Sequence, residues 1–161
     1  MLFRSVLVET VGVGQSEVEI AGQADTTIVL LAPGMGDGIQ AAKAGILEIG
    51  DLYVVNKADR DGADQVRRDL RGMLNLAERR DGAWRQPILK ISAARQEGLD
   101  EVVAEIERHH AFLAESGELL ARRTRRARME VEAIAVAELR RRWARSEEHT
   151  SELQSPMYLV C

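Results

Sequence analysis

Cysteine is almost absent from this chain. Its 161 residues include one cysteine, Cys161, and a lone thiol supplies neither an intramolecular disulfide nor a Cys-x-x-Cys pair for metal or redox chemistry. No run of about 18 apolar residues is available to span a membrane, and no charged-then-apolar leader opens the sequence. We therefore expect a cytoplasmic protein that does not enter the membrane.

Aromatic side chains are also scarce, at 4% of the residues against 45% hydrophobic residues. The core must therefore be built from Val, Ile, Leu and Ala, and one domain is expected at this length. The net charge of −4 and the lack of aromatics within the basic run 122–128 argue against nucleic-acid binding, and a solvated helix face is the simpler interpretation.

Clusters of metal ligands are missing as well. His109 and His110 are adjacent, so on a helix they point about 100° apart and cannot form an i, i+4 metal pair. We interpret both as residues of a solvated helix end. A protein that carries a transition metal directly is disfavoured.

Short apolar runs at 5–9, 27–32, 52–56 and 87–92 alternate with helical stretches. This alternation predicts an α/β fold, with a parallel sheet and crossover helices. Two predicted helices carry apolar side chains at helical spacing, so these side chains are core candidates. They are Ala63, Val66, Leu70, Met73, Leu74 and Ala77 in the first helix, and Leu99, Val102, Val103, Ile106 and Leu113 in the second. Trp84, just before the last strand, is predicted to be a packing residue.

Residues 118–143 have no strand signal and few helix breakers, and they predict one long helix. Its apolar stripe consists of Ala127, Val131, Ile134, Ala135 and Leu139. Such a stripe on a projecting helix needs a partner surface.

The tetrad Asn56-Lys57-Ala58-Asp59 follows the apolar run 52–55. An Asn-Lys-x-Asp sequence at a strand end is typical of guanine-binding loops. The aspartate accepts from the guanine ring N–H and the exocyclic amine together, a pairing that adenine does not offer. The lysine stem covers the face of the base, and the asparagine amide braces the loop.

A second loop, Ser92-Ala93-Ala94, ends the next predicted strand. Its backbone N–H groups are suited to donate to the guanine carbonyl oxygen. Ligands of open parallel sheets bind at the carboxyl ends of the strands, so two base-reading loops at consecutive strand ends are consistent with one site. Two ordinary strand-to-helix loops are the alternative.

The run 6–8 leads into Glu9 and the glycine-rich turn 12–14. Glu9 is placed to hold a magnesium-bound water, and Gly12 leaves its N–H free to approach a terminal phosphate. An acidic strand end before a flexible turn is the alternative. No Gly-x-x-x-x-Gly-Lys-Ser/Thr loop occurs in the chain, so the chain is not expected to hydrolyse GTP unaided.

Taken together, these motifs resemble the MeaB/ArgK family, the GTPase chaperones of adenosylcobalamin-dependent methylmalonyl-CoA mutase. The similarity extends from about residue 6 to about residue 143. It rests on Glu-Thr-Val-Gly-Val-Gly-Gln-Ser-Glu at 9–17, Ala-Asp-Thr-Thr at 24–27, Ala-Pro-Gly-Met-Gly-Asp at 32–37, Gln40, Lys43 and the tetrad.

The resemblance implies a P-loop NTPase-type sheet that binds GTP or GDP with Mg²⁺. It places Glu9, Gly12 and Gln15 in the catalytic switch, with Glu9 as the water-mediated magnesium residue. The guanine site consists of Asn56, Lys57, Ala58, Asp59, Ser92, Ala93 and Ala94. Gln40 and Lys43 fall in a loop that couples the nucleotide state to the mutase partner. Without the resemblance, residues 34–38 would be interpreted as a plain loop before a helix.

The resemblance also predicts the domain organisation. Residues 6–115 form the C-terminal part of a GTPase domain, and 116–145 form a helical arm that makes a homodimer. Residues 1–5 and 146–161 do not fit the family and are interpreted as non-native ends. The alternative function is a non-enzymatic dimerising interaction module.

Overall fold

A computed structural model describes residues 5–9, 21–34, 49–76 and 82–152, with side chains up to residue 145. The elements are β1 (Ile28–Leu31), β2 (Leu52–Val55), α1 (Ala63–Leu76), β3 (Ile88–Lys90), a 3₁₀ turn (Ala93–Arg95), α2 (Leu99–Glu115) and α3 (Glu118–Glu152). The strands form one sheet in the order β1-β2-β3. The predicted α/β class is confirmed, and these strands lie within the predicted runs.

The three strands are parallel and closely in register. Leu31 pairs with Val55, and Val55 pairs with Lys90. The carboxyl ends of β1, β2 and β3 therefore meet at one edge of the sheet, and the loops after β2 and β3 are neighbours.

The core lies on both faces of the central strand, since all four residues of β2 are buried, as expected for a parallel sheet covered by helices. One face packs against α1. The buried residues there are Val29, Leu31, Tyr53, Val55, Ala63, Val66, Leu70 and Leu74, with Met73 packed against them. The predicted core face of α1 is confirmed, except for Ala77, which lies outside the described residues.

Helix α2 buries a face that includes His109 and Leu113. The prediction that Leu99 and Val103 point inward is wrong, because both are exposed. Val103 precedes the buried His109 by six positions, so it lies about 120° away from His109 around the helix axis, at about 100° per residue. The prediction for His109 is also wrong, since this side chain is fully buried while His110 is exposed.

His109 belongs to a polar cluster at the amino ends of the strands, which we call the amino-end cluster: Thr26, Asp51, Trp84 and His109. His109 Nδ1 is hydrogen-bonded to Thr26 Oγ1 at 2.9 Å, and its Nε2 lies 3.4 Å from Asp51 Oδ1. The Trp84 indole donates to the Asp51 carbonyl oxygen at 2.9 Å, and its ring centre is 4.8 Å from that of His109. The cluster ties α2 to the segments that precede all three strands.

Residues 5–9 are not a strand, so this part of the predicted sheet is wrong. Val6, Leu7 and Val8 are 80%, 91% and 67% exposed. A strand is stable only when a neighbouring strand satisfies its backbone groups. Within the described residues, 5–9 pair with no strand.

The chain divides into two compact units, residues 1–120 and 121–161. Helix α3 confirms the predicted long helix and extends beyond residue 143 to Glu152. Ion pairs such as Arg128–Glu132 at 2.9 Å and Arg142–Glu138 at 3.0 Å follow its surface, while Val131, Ile134 and Leu139 are exposed. Among the described helices, none has the length and apolarity needed to cross a membrane.

Candidate functional site

The loop that follows β2 is held by backbone hydrogen bonds to both neighbouring strand ends. Asn56 N–H donates to the Leu31 carbonyl at 2.7 Å, and Ala58 N–H donates to the Ile91 carbonyl at 2.9 Å. Lys57 adopts the left-handed conformation, with a φ of 58°. This conformation costs a non-glycine residue about 1–2 kcal/mol and is typical of functional loops. The loop is therefore held in one specific shape.

The Asn56 side chain joins the two predicted base-reading loops. Its Oδ1 accepts from Lys57 N–H at 2.7 Å within its own loop and from Ala93 N–H at 3.1 Å in the loop after β3. One amide oxygen thus sets the separation of the two loops. The sequence analysis predicted that the Asn56 amide braces the first loop, but it did not predict the hydrogen bond to Ala93.

Asp59 points to the same place from the other side of the loop. Its Oδ1 accepts from the Ser92 hydroxyl at 2.7 Å, and the Asp59 side chain remains 23% exposed. The Ser92 hydrogen bond, followed by the backbone N–H of Asp59 itself and the nearby Arg95 and Arg60 charges, lowers the pKa of Asp59 below its ordinary value. An ionised carboxylate therefore faces solvent beside the second loop.

The second loop is closed on itself. Ser92 and Glu97 exchange two backbone hydrogen bonds of 3.1 Å around the 3₁₀ turn, and Arg95 N–H donates to the Ser92 carbonyl at 3.1 Å. Gly98 ends the loop with a φ of 77°, and a Cβ there would lie 2.8 Å from the Lys90 carbonyl oxygen. Only glycine fits at this position, because the backbone is left-handed and closely packed.

Two residues of this site were missed by the sequence analysis. Gly98 was not predicted to shape this loop, although a glycine directly after a loop and before a helical pattern is a signal for special backbone geometry. Arg95 was not considered, and its guanidinium Nη2 lies 3.9 Å from Asp59 Oδ2. No signal in the sequence separates Arg95 from the other arginines, because its proximity to Asp59 arises from the closed loop.

The predicted switch and coupling residues are not brought into this site by the described structure. Gly12, Gln15, Gln40 and Lys43 lie outside the described residues. Glu9 is exposed, and the described contacts include no hydrogen bond or ion pair between Glu9 and the two loops. The described ranges contain no group of three or more His, Cys, Asp or Glu side chains arranged to hold a metal ion.

The arrangement has the complement of a guanine edge. An ionised carboxylate accepts from two adjacent N–H groups, and the N–H groups of an exposed turn donate to a carbonyl oxygen. These loops stand at the carboxyl ends of adjacent parallel strands, where ligands of such sheets bind. The fold and the two loops together are typical of the GTPase class of α/β proteins.

Comparison with known proteins identifies the family within that class. Residues 1–148 match the family described as methylmalonyl Co-A mutase-associated GTPase MeaB, and the chain belongs to this family. It is 43% identical over 124 residues to a probable GTPase of Mycobacterium tuberculosis. It is also 39% identical over 117 residues to GTPase ArgK of Escherichia coli.

A mammalian protein is similar too. The chain is 42% identical over 122 residues to the mitochondrial methylmalonic aciduria type A homolog of Mus musculus. The alignments cover 75%, 71% and 73% of this chain but 37%, 35% and 29% of the M. tuberculosis, E. coli and mouse proteins. The chain thus spans about a third of the length of these relatives.

Proposed function

We propose that this chain is the guanine-reading part of a protein that binds and hydrolyses GTP as a chaperone of adenosylcobalamin-dependent methylmalonyl-CoA mutase. Family membership and the names of the relatives support the GTPase class, and the description of the family supports the link to the mutase. The observation that carries the proposal is the position of the Asp59 carboxylate, which has a lowered pKa and accepts a hydrogen bond from the Ser92 hydroxyl. It lies beside the second loop, which Asn56 holds through a hydrogen bond from Ala93 N–H. A cytoplasmic setting remains a prediction.

Guanine recognition is assigned to both loops. Asp59 accepts from the ring N–H and the exocyclic amine, while the exposed turn at Ala93 and Ala94 presents backbone N–H groups to the carbonyl oxygen. Ala93 N–H is shared with Asn56, so Ala94 is the freer donor in this scheme. The left-handed Lys57 lays its stem along the face of the base.

The decisive experiment is Asp59→Asn in a protein extended to the length of its relatives. The new amide presents a donor to the guanine N–H groups, so GTP affinity should fall by about 100-fold. Xanthosine triphosphate, whose C2 oxygen accepts from the amide, should gain affinity. Asp61→Asn, an exposed carboxylate two residues away, is the matched control. An unchanged preference for GTP in Asp59→Asn would refute the assignment.

Phosphate and magnesium binding require residues beyond the two loops. We assign Glu9, Gly12 and Gln15 to the switch that contacts Mg²⁺ and the terminal phosphate, in accordance with the family resemblance. Mg²⁺ would supply charge neutralisation at the phosphates. Because the chain has no phosphate-cradling Gly-x-x-x-x-Gly-Lys-Ser/Thr loop, this chain alone should bind GTP only at millimolar concentrations. Calorimetry that gives a sub-millimolar Kd for this chain would contradict this division of roles.

Coupling to the mutase is assigned to residues 34–43. Lys43 follows Gln40 by three positions, so on a helix both share one face. We expect Lys43→Ala in the extended protein to leave nucleotide affinity within a few-fold and to remove most of the stimulation of GTP hydrolysis by the mutase. GTP turnover with and without mutase tests this expectation. If the mutase still stimulates GTP hydrolysis fully in Lys43→Ala, residues 34–43 are a structural loop without a coupling role.

Dimerisation through α3 is the second candidate function, and it needs no nucleotide. The observation that favours it is the exposed apolar stripe with Val131, Ile134 and Leu139. Sedimentation of this chain at micromolar concentration should show a dimer, which Ile134→Glu with Leu139→Glu converts to a monomer. The matched pair Ala133→Glu and Arg140→Gln changes the net charge by the same amount at other positions of the same helix, and it should leave the dimer intact. A monomeric wild-type chain would contradict the proposal.

A further inference from the structure

Arg95 occupies an unusual position beside the base-reading carboxylate. Asp59 Oδ1 is engaged by the Ser92 hydroxyl at 2.7 Å, whereas Asp59 Oδ2 faces the Arg95 Nη2 at 3.9 Å. This distance exceeds that of a hydrogen bond but lies within ion-pair range. The guanidinium is therefore the cation beside the carboxylate oxygen that does not receive the Ser92 hydrogen bond.

The side chain of Arg95 is exposed to solvent, whereas its backbone is held within the loop. Its N–H is held by the Ser92 carbonyl in the 3₁₀ turn at 3.1 Å, and the loop closes on Gly98. The Arg95 side chain is nevertheless 60% exposed. A base that approaches Asp59 can push the guanidinium into solvent without any change in the loop.

We propose that Arg95 is an internal counter-ion of Asp59 that guanine displaces on binding, so that Arg95 lowers the affinity of the site for the base. The proposal rests on the guanine recognition proposed above. The two N–H groups of guanine need both carboxylate oxygens of Asp59, and the guanidinium of Arg95 lies beside one of them, Oδ2. The base and the guanidinium therefore compete for Oδ2. Arg95 is thus an affinity-setting residue, and the carboxylate is never left without a nearby donor.

The effect has a defined sign and a modest size. The Arg95–Asp59 pair stabilises the empty site, so its removal should strengthen binding of a neutral guanine ligand. Exposed ion pairs shift such equilibria by up to about fivefold. High salt screens the pair, so base binding to the wild-type chain should strengthen as ionic strength rises. A site without the ion pair should not respond in this way.

The test is an NMR titration of this chain with guanosine, which has no phosphate charges. Arg95→Gln should bind guanosine about two- to fivefold more tightly than the wild type at about 20 mM salt. At about 500 mM salt the difference should disappear, because the wild type gains affinity and the variant does not. Arg60→Gln is the matched control. It removes an equal charge that acts less strongly on Asp59 than Arg95 does, and it should change affinity by less than Arg95→Gln.

Two results would overturn the proposal in different ways. Equal or weaker guanosine binding by Arg95→Gln, with no salt response in the wild type, would refute the role of Arg95 and leave guanine recognition intact. Absence of guanosine shifts at Asp59, Ala93 and Ala94 in every variant would refute guanine recognition by these loops and the Arg95 proposal with it.

Discussion

The two ends of the sheet have similar polar chemistry but opposite exposure. At the carboxyl ends, Asn56, Asp59, Ser92 and Ala93 join two loops, and we call these residues the carboxyl-end cluster. At the amino ends, Thr26, Asp51, Trp84 and His109 join α2 to the segments before the strands. Each cluster has a carboxylate that receives a backbone or hydroxyl hydrogen bond.

The difference lies in what remains available to a ligand. His109 is fully buried and Asp51 nearly so, and Asp51 Oδ2 accepts from Thr27 N–H at 2.9 Å. Asp59 instead has one oxygen next to the exposed guanidinium of Arg95, and its side chain is 23% exposed. Buried polar groups that pair with one another stabilise a fold, whereas a partly exposed carboxylate is accessible to a ligand, as proposed above for guanine. Substitutions in the amino-end cluster should therefore lower stability, and substitutions in the carboxyl-end cluster should change the affinity for the base.

The largest effect is expected from His109→Ala. This change leaves a cavity beside Trp84 and removes the hydrogen bond to Thr26 within a buried cluster, so it should lower the free energy of unfolding by about 3 kcal/mol. Urea denaturation measures the loss. His110→Ala, on the exposed neighbour, should change it by less than about 0.5 kcal/mol. Equal effects at the two positions would show that the amino-end cluster does not hold the fold together.

Gly98→Ala is expected to lower the free energy of unfolding by somewhat less, about 2 kcal/mol. The added Cβ meets the Lys90 carbonyl oxygen at 2.8 Å in a left-handed backbone, so the loop that presents Ser92 must shift. The control is Gly72→Ala in α1, where a Cβ meets nothing within 4 Å and helix propensity favours alanine by about 0.5–1 kcal/mol. In thermal denaturation we therefore expect Gly98→Ala to lower the Tm and Gly72→Ala to raise it. Tolerance of both substitutions would argue against a rigid second loop.

The smallest effect on stability, but a distinct effect on binding, is expected from Ser92→Ala. Asp59 has a lowered pKa, chiefly because of the Ser92 hydroxyl, and a proton on Asp59 competes with guanine. Guanosine binding should therefore persist above that pKa and disappear as pH falls through it. In Ser92→Ala the pKa rises toward its ordinary value, so binding should be lost at higher pH.

NMR titration of the Asp59 carboxyl carbon and of guanosine binding between acidic and neutral pH measures this shift. Ser116→Ala, whose hydroxyl is hydrogen-bonded to the Leu113 carbonyl at 3.4 Å, serves as the control. An identical titration midpoint in Ser92→Ala and wild type would mean that Ser92 does not set the charge of Asp59.

Several features were accessible to sequence analysis because they depend on local patterns. The apolar spacing of Val66, Leu70 and Leu74 predicted the buried face of α1, and the structure confirms it. The long helix from residue 118 was likewise visible in periodicity alone. The interpretation of both His109 and His110 as residues of a solvated helix end was wrong for His109, which is fully buried. Burial depends on which face of α2 meets the sheet.

The amino-acid sequence by itself determined the class, the family resemblance and the positions of the loops after β2 and β3. Strand and helix periodicity and short motifs depend only on residues that are close together in the chain. The tertiary structure alone decided how the loops combine. The Asn56–Ala93 link spans 37 residues and the Ser92–Asp59 link spans 33. The proximity of Arg95 to Asp59 and the burial of His109 also arise only when parallel strands bring distant segments together. Likewise, the run 5–9 has strand character in sequence, but a strand forms only where a neighbour supplies hydrogen bonds.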